Sequence, residues 1–142
     1  MTMNCSRFDA DEEARNATRF PRSDQTPLAQ HAIRGVVHGH VVTAVRLLHE
    51  RLTEPWTLDA LADEVHLSRS QLARSFAATI GMSPMAFLRK MRAEQMARLL
   101  ANTDLSVAEA ARSVGWRNQF HASQCFHSHY GVSPTEFRRR GR

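Results

Sequence analysis

The stretch "TLDALADEV" (residues 57–65) is matched by "SVAEAARSV" (residues 106–114) at an offset of 49 residues, and this repetition decides the fold. Each stretch opens with a Thr or Ser that can cap a helix, followed by apolar residues at helical spacing. A second pair, "FAATIGMSPMAFLRK" (residues 76–90) and "FHSHYGVSPTEFRRR" (residues 126–140), aligns at an offset of 50. The chain therefore contains an internal repeat, with one residue inserted in the turn of the second copy.

Capping residues mark the helix boundaries in both copies. Capping boxes of the form Ser-x-x-Gln/Glu begin helices after Ser68 and Ser106. Gly81 and Gly131 each end a helix, and the Ser-Pro pair that follows each glycine begins the next one. Ahead of the repeat, apolar spacing predicts a helix over about Val36–Leu52. Because no long run alternates apolar and polar residues, we predict an all-α protein with about seven helices.

The repeat divides the chain into four segments. We predict a polar, disordered tail (residues 1–35), a first helix-turn-helix subdomain with a leading helix (36–82), a long linker helix (83–102) and a second helix-turn-helix subdomain (103–142). The second helix of such a unit fits the major groove of DNA. A linker of about 18 residues spans roughly 27 Å. That length would let both recognition helices reach adjacent groove segments about 34 Å apart.

The positive charge is concentrated in the repeat. The net charge is +5, and residues 1–55 hold seven Arg against seven acidic residues. Residues 56–142 hold twelve Lys and Arg against seven acidic residues, and eleven of the twelve are Arg. Arginine suits bidentate contacts with phosphate and guanine, so this half fits a nucleic-acid partner. A solvated surface in which genome composition favours arginine would have the same charge. Charge alone therefore does not decide whether the protein binds nucleic acid.

Several functional classes are disfavoured by the sequence. No apolar run approaches the about 20 residues that a membrane span needs, and the polar N-terminus lacks the apolar region of a signal peptide. Two cysteines do not form a disulfide framework of the secreted kind, so we expect a protein of the reducing cytoplasm. There is no Gly-rich phosphate loop and no nucleophile turn. We therefore predict no enzyme activity and no cofactor.

One cluster in the second copy has the spacing of a metal site. His121, Cys125 and His129 recur at every fourth position and would line one helix face. However, Phe126 aligns with Phe76 and is predicted to be core, which places His121 on the outward side and His129 at the helix end. No fourth ligand lies nearby in sequence. We therefore predict no metal site.

The repeat as a whole resembles the DNA-binding domain of the AraC/XylS transcription regulators. The resemblance covers about residues 44–140 and is carried by "GMSPMAFLRKMR" (81–92), "ARLLANTDLSVAEAA" (97–111) and the closing "YGVSPTEFRR" (130–139). It implies a sequence-specific regulator that binds double-stranded DNA and RNA polymerase, and it favours an activator over a repressor.

The length before the repeat bears on regulation. Members that sense a small molecule carry a separate N-terminal domain, and the about 40 residues available here are too few for one. We expect either a small stand-alone regulator, controlled by its abundance or by a partner protein, or a piece of a longer chain.

The same resemblance places the DNA contacts on the outward faces of the two recognition helices. Arg pairs with guanine edges and Gln or Asn with adenine edges. The candidates for base contact are Arg69, Ser70, Ala73 and Arg74 in the first copy and Gln119, Phe120, His121 and Gln124 in the second. The candidates for contact with the phosphate backbone are Ser68, Arg89, Lys90, Arg92, Arg117, Asn118, Arg138, Arg139 and Arg140.

The second copy departs from the family pattern at two positions. Position 122, aligned with Leu72, is usually a large apolar residue in the family, but here it is Ala122. Position 120 is commonly small or polar, but here it is Phe120. Either Phe120 turns inward to fill the space that Ala122 leaves, or it stays outside and packs on a thymine methyl group. We favour the inward orientation, with Phe126 and Tyr130 as buried anchors.

One other function fits the same elements. A helix-turn-helix module can bind a partner protein and have only weak DNA specificity. A steep loss of DNA affinity with rising salt would indicate phosphate contacts and would favour the DNA-binding interpretation.

Overall fold

A computed structural model describes the backbone of residues 27–141 and the side chains of residues 38–141. Over these residues the chain forms seven α-helices and no strand, which confirms the all-α prediction. The helices are α1 (Pro27–Glu50), α2 (Leu58–Glu64), α3 (Arg69–Ile80), α4 (Pro84–Asn102), α5 (Val107–Ser113), α6 (Gln119–Tyr130) and α7 (Pro134–Gly141). Residues 1–26 of the predicted disordered tail lie outside the described residues.

The first helix is longer than predicted. It begins at Pro27 and not at Val36, so residues 27–35 belong to a helix and not to a disordered tail. Proline is pre-organised for the first helical position, and the Leu, Ala and Gln residues that follow it have high helix propensity. The residues whose spacing predicted the helix lie in its C-terminal part, where Val41 and Leu48 are fully buried. Ala29, Ile33 and Val37 precede Val41 at intervals of four residues, so the same helical spacing continues toward Pro27.

The described residues fall into two compact units. One contains the described residues up to Glu50 together with Trp56–Met85, and so holds α1, α2 and α3. The other contains Arg51–Pro55 and residues 86–141, and so holds most of α4 together with α5, α6 and α7. The long helix thus packs with the second helix-turn-helix, although we predicted it as a separate linker segment.

The first unit is built on apolar residues of α2 and α3. Leu61, Leu72 and Phe76 are fully buried, and Val65 is almost so. The hydroxyl of Thr57 caps α2 by accepting a hydrogen bond from the Ala60 amide at 3.1 Å. These contacts hold α3 against α2 in the geometry of a helix-turn-helix.

The second unit has a larger aromatic core. Phe126 of α6 is fully buried, and its ring centroid lies 4.7 Å from that of Tyr130 and 5.3 Å from that of Phe137. Tyr130 is only half-buried, so of the two predicted anchors Phe126 is the interior one. Met96 and Leu100 of α4 complete the same cluster. The long helix therefore supplies part of the core on which the second recognition helix rests.

The capping residues act as the sequence predicts. Ser68 and Ser106 form complete capping boxes with Gln71 and Glu109. Gly81 and Gly131 end α3 and α6 in the left-handed conformation, with φ of 90° and 78°. The Ser133 hydroxyl accepts a hydrogen bond from the Glu136 amide at 3.1 Å and so caps α7.

Candidate DNA-binding interface

Helix α3 presents two arginines near its N-terminus. Arg69 and Arg74 are exposed, whereas Ser70 is half-buried. The Arg69 Nε atom lies 3.2 Å from the Asp59 Oδ1 atom of α2, and both side chains are well exposed. An exposed ion pair of this kind contributes little to stability, but it orients the guanidinium group. Asp59 of α2 thus holds the guanidinium of Arg69 in position at the N-terminus of α3.

One predicted position on this helix is corrected by the structure. Ala73 is only 5% exposed, so it belongs to the core and not to the outward face. Its neighbours Leu72 and Phe76 face the interior, and a 100° step per residue brings Ala73 to the edge of the same buried stripe. The outward face of α3 is therefore narrower than predicted.

Helix α6 presents a different set of side chains at its N-terminus. Gln119, Phe120 and His121 are exposed, and Gln124 is half-buried. The side-chain oxygen of Asn118 accepts hydrogen bonds from the Phe120 amide at 2.8 Å and from the His121 amide at 3.3 Å. This cap satisfies amides that would otherwise lack partners and holds the first turn of α6 in place.

The orientation of Phe120 differs from the one we favoured. Its side chain is 82% exposed, so the inward prediction is wrong. The Trp116 amide donates to the Ala111 carbonyl at 3.0 Å, as the Leu67 amide does to Ala62 in the first copy, so Trp116 occupies the Leu67 position. Trp116 is 3% exposed and lies in the same cluster as Ala122. The indole supplies the volume that the small Ala122 does not, and the interior has no need of Phe120.

His121 lies close to positive charge. Its Nε2 atom is 3.7 Å from the Cys125 Sγ atom on the next turn. Partial removal from water, followed by the charges of Arg89 and Arg92, lowers the pKa of His121. The imidazole is therefore held in its neutral form near pH 7, in which one ring nitrogen donates and the other accepts.

The phosphate-contact candidates differ in their surroundings. Arg117 is exposed, and Lys90 is half-buried. Burial, with a smaller effect of Arg92, lowers the pKa of Arg89 to about 10, so this guanidinium stays protonated at neutral pH. Arg139 and Arg140 are exposed, and both pair with the Glu136 carboxylate.

Two of the candidates also cap the recognition helices. Ser68 accepts from the Gln71 amide at 3.1 Å, and Asn118 caps α6 as described above. Both side chains remain exposed.

Two arginines that we predicted to contact phosphate instead stabilise the second unit. Arg92 is 8% exposed, and its guanidinium donates to the Leu52 carbonyl at 3.0 Å and to the Glu54 carbonyl at 2.7 Å. Arg138 is half-buried and donates to the carbonyls of Leu100 and Leu105. A guanidinium that is removed from water needs such acceptors, so the buried Arg92 and the half-buried Arg138 both serve to hold their own unit together.

The cluster that suggested a metal site is not assembled in the structure. His129 Nε2 lies 3.7 Å from Glu94 Oε1, away from the His121–Cys125 contact. Among residues 38–141, no group of three or more His, Cys, Asp or Glu side chains could hold a metal ion. The regular spacing therefore reflects one helix face and not a shared ligand set.

Two residues that the sequence did not single out help to build this interface. Asp59 pairs with Arg69, and Trp116 of the turn is buried in the same core cluster as Ala122. The Asp59–Arg69 pair joins two helices, so helical spacing within one segment could not reveal it. Alignment of the two copies could have indicated Trp116, because it places this residue opposite Leu67 in the turn.

Taken together, the two units are helix-turn-helix units, each with an exposed polar N-terminus on its second helix. This is the architecture of a DNA-binding protein that carries two recognition helices. Comparison with known proteins agrees. A family model described as a helix-turn-helix domain matches residues 61–140.

Similar proteins identify the family of helix-turn-helix proteins to which the chain belongs. The chain is 35% identical over 103 residues to the HTH-type transcriptional regulator MtrA of Neisseria gonorrhoeae, an alignment that covers 72% of this chain and 33% of MtrA. It is 29% identical over 107 residues to the RCS-specific HTH-type transcriptional activator RclR of Escherichia coli, covering 75% of this chain and 38% of RclR. The chain thus spans about a third of the length of the curated relatives it matches.

A solved structure with DNA is similar throughout its length. The DNA-binding domain of AdpA, a global transcriptional factor crystallised with a target DNA, superposes with a TM-score of 0.68 at 30% identity, over 70% of this chain and 90% of that domain. The chain belongs to the AraC-type family of helix-turn-helix transcription regulators. Members of this family are regulators and not enzymes. None of the helices in the described part of the chain is long and apolar enough to cross a membrane.

Proposed function

We propose that this chain binds double-stranded DNA sequence-specifically, with α3 and α6 as recognition helices in adjacent major-groove segments. The observation that carries the proposal is the presence of two helix-turn-helix units whose recognition helices expose base-reading side chains at capped N-termini. The AdpA domain, similar over 90% of its length, is bound to its target DNA. The excess of arginine in this part of the chain fits the charge of the phosphate backbone.

The two helices would read different base edges. Arg69 and Arg74 on α3 are suited to the O6 and N7 atoms of guanine. Gln119, with the half-buried Gln124, is suited to the N6 and N7 atoms of adenine, and the neutral His121 can donate or accept. The preferred site should therefore contain a guanine-containing block and an adenine-containing block, about one helical turn apart.

The phosphate backbone would be contacted by exposed and half-buried cations outside the base-reading positions. Arg117, Arg139, Lys90 and the half-buried Arg89 are the side chains that we assign to this role. Ser68 and Asn118 would place the amide ends of α3 and α6 toward phosphate, in addition to capping. Arg92 and Arg138 are left out because they donate to backbone carbonyls of their own unit.

We further propose that the protein activates transcription, through contact with RNA polymerase, in the cytoplasm on the nucleoid. The relative RclR is itself named a transcriptional activator. A reporter gene with the selected site placed upstream of a weak promoter tests this directly. Expression should rise with the protein present, and a fall would make it a repressor.

The test of DNA recognition begins with selection of bound sequences from a random pool. We expect a two-block site, and titrations at several salt concentrations should show a steep fall in affinity as salt rises. Failure to bind DNA at low salt would refute the proposal. The rival function, docking of a partner protein with weak DNA specificity, predicts binding without a preferred sequence.

Arg74→Ala sharpens the assignment of α3. If Arg74 reads a guanine, the variant should lose about 1–3 kcal/mol of discrimination in one block only. Uniform weakening on all sequences would identify it as a phosphate contact instead. Arg46→Ala is the matched control, since Arg46 is an exposed arginine of the same unit that lies on α1 and outside the recognition helix.

A further inference from the structure

The N-terminus of α6 carries an exposed aromatic ring. Phe120 is 82% exposed, and the other exposed large apolar side chain in residues 38–141 is Val42, at 45%. Phe120 occupies the second position of α6 and is flanked by the exposed Gln119 and His121. Its ring is thus an apolar group within the polar end of a recognition helix.

The structure also fixes this ring on the outside. The Phe120 amide donates to the Asn118 side chain at 2.8 Å, so the backbone of the first turn is held in place. The interior below it is filled, because Ala122 is fully buried and Trp116 is 3% exposed. The Phe120 ring therefore lies outside a core that other side chains fill.

The surroundings of Phe120 suit a small apolar partner. Surfaces that dock a protein generally present a contiguous apolar patch of several hundred square ångströms. Phe120 is instead flanked in sequence by Gln119 and His121, and Arg117 lies three residues before it; all three are exposed and polar. In the major groove, the 5-methyl group of thymine is the apolar feature that distinguishes one base from the others, and Phe is among the side chains that contact it.

We propose that Phe120 selects thymine by contact with its 5-methyl group in the block of DNA read by α6. This inference rests on the proposed function, because it needs α6 in the major groove. Ser70 occupies the aligned position of α3 at the offset of 50, and it is small, polar and half-buried. The first copy therefore has no aromatic ring at the position that Phe120 occupies in the second.

Replacing single thymines by uracil in the selected site tests the proposal. Uracil pairs with adenine as thymine does and lacks only the methyl group. At one position in the α6 block, the substitution should weaken binding of the unaltered protein about fourfold, which is the change that burial of one methyl-sized group produces. Thymines in the α3 block that are replaced in the same way serve as internal controls for DNA effects.

The protein variants complete a double-mutant cycle. Phe120→Ala should bind the thymine and uracil sites equally, and Phe120→Leu should retain part of the preference. Val42→Ala removes exposed apolar surface elsewhere and should keep the full fourfold preference. Phe120 has no interior contacts to lose, so thermal melting should confirm that Phe120→Ala folds normally.

The outcomes separate this inference from the proposed function. If the protein selects a two-block site but Phe120→Ala and the unaltered protein lose the same factor on uracil, the methyl contact is refuted while DNA recognition stands. If Phe120→Ala changes association with a second copy and leaves the thymine preference intact, the ring serves protein docking and the inference is again refuted. Absence of any DNA binding would refute the proposed function itself.

Discussion

The two helix-turn-helix copies share a backbone and differ in how they fill it. The turn amides of Leu67 and Trp116 donate to equivalent carbonyls, of Ala62 and Ala111, at the same distance of 3.0 Å. In the first copy the recognition-helix residue aligned with Ala122 is the fully buried Leu72, and Leu67 of the turn is only half-buried. In the second copy the helix supplies Ala122 and the turn supplies a buried Trp116. The large apolar side chain is thus on the helix in the first copy and in the turn in the second, while the turn hydrogen bond is the same in both.

The residue that precedes Leu67 or Trp116 in the turn also differs between the two copies. His66 and Gly115 both have positive φ, of 59° and 105°. His66 is exposed, so its side chain has room. A Cβ atom on Gly115 would lie 2.8 Å from the Thr53 Cα atom and 2.9 Å from the Arg92 Nη2 atom. The comparison teaches that the left-handed turn tolerates a side chain in one copy and requires glycine where another segment packs against it.

The largest expected effect is a loss of stability when Trp116, the buried turn residue of the second copy, is replaced. Trp116→Ala should lower the free energy of unfolding by about 3–5 kcal/mol, because a large aromatic residue leaves a cavity. Trp116→Phe should cost far less, since the buried indole N–H has no hydrogen-bond partner within the described residues and its removal offsets lost volume. Denaturant unfolding measures both. Equal losses for the two variants would contradict this account, because they would mean that a phenyl ring restores none of the packing that the indole provides.

The next effect concerns the two turns. Gly115→Ala should destabilise the protein by about 1–3 kcal/mol from the left-handed backbone, with a further loss as Arg92 is displaced. His66→Gly is the matched change in the other copy. It should shift stability by less than about 1 kcal/mol, because relief of strain and the added freedom of the unfolded chain oppose each other. Similar responses in the two turns would show that packing at Gly115 is unimportant.

Removal of the N-caps of the two recognition helices should destabilise the protein less, and by similar amounts in the two copies. Ser68→Ala and Asn118→Ala each remove a side-chain acceptor and should cost about 1 kcal/mol in thermal unfolding. Asn118→Asp keeps the acceptor and adds a negative charge. Stability should then be retained while DNA affinity falls, if Asn118 faces phosphate. Unchanged affinity would remove Asn118 from the phosphate contacts.

The smallest effect is a pH dependence confined to the second copy. The pKa of His121 is lowered in the folded protein, so below about pH 6.5 the unfolded chain binds the proton more readily. Stability is therefore complete above that pH and decreases as pH falls toward the folded pKa. His121→Gln should flatten this part of the stability profile, with His127→Gln, an exposed histidine on the same helix, as control. An identical profile in His121→Gln would assign the dependence to another group.

Much of this architecture could be predicted from short-range sequence patterns. Capping boxes at Ser68 and Ser106, and the left-handed glycines 81 and 131, define helix ends by hydrogen bonds between residues three or four apart. The repeat then identifies both recognition helices and places Phe126 in the core. Such features are local or periodic, so the order of residues determines them before any tertiary contact forms.

Tertiary packing decided the rest. Arg92 and Arg138 donate to carbonyls that lie 33 to 40 residues away in sequence, so the sequence alone predicted both as exposed charges. The exposure of Phe120 depends on Trp116, whose ring fills the interior from a neighbouring turn. Helical periodicity assigns a face to each residue, but competition for a fixed interior volume decides which side chain enters it. For that reason the sequence determined where α6 lies, and only the packed core determined what α6 presents.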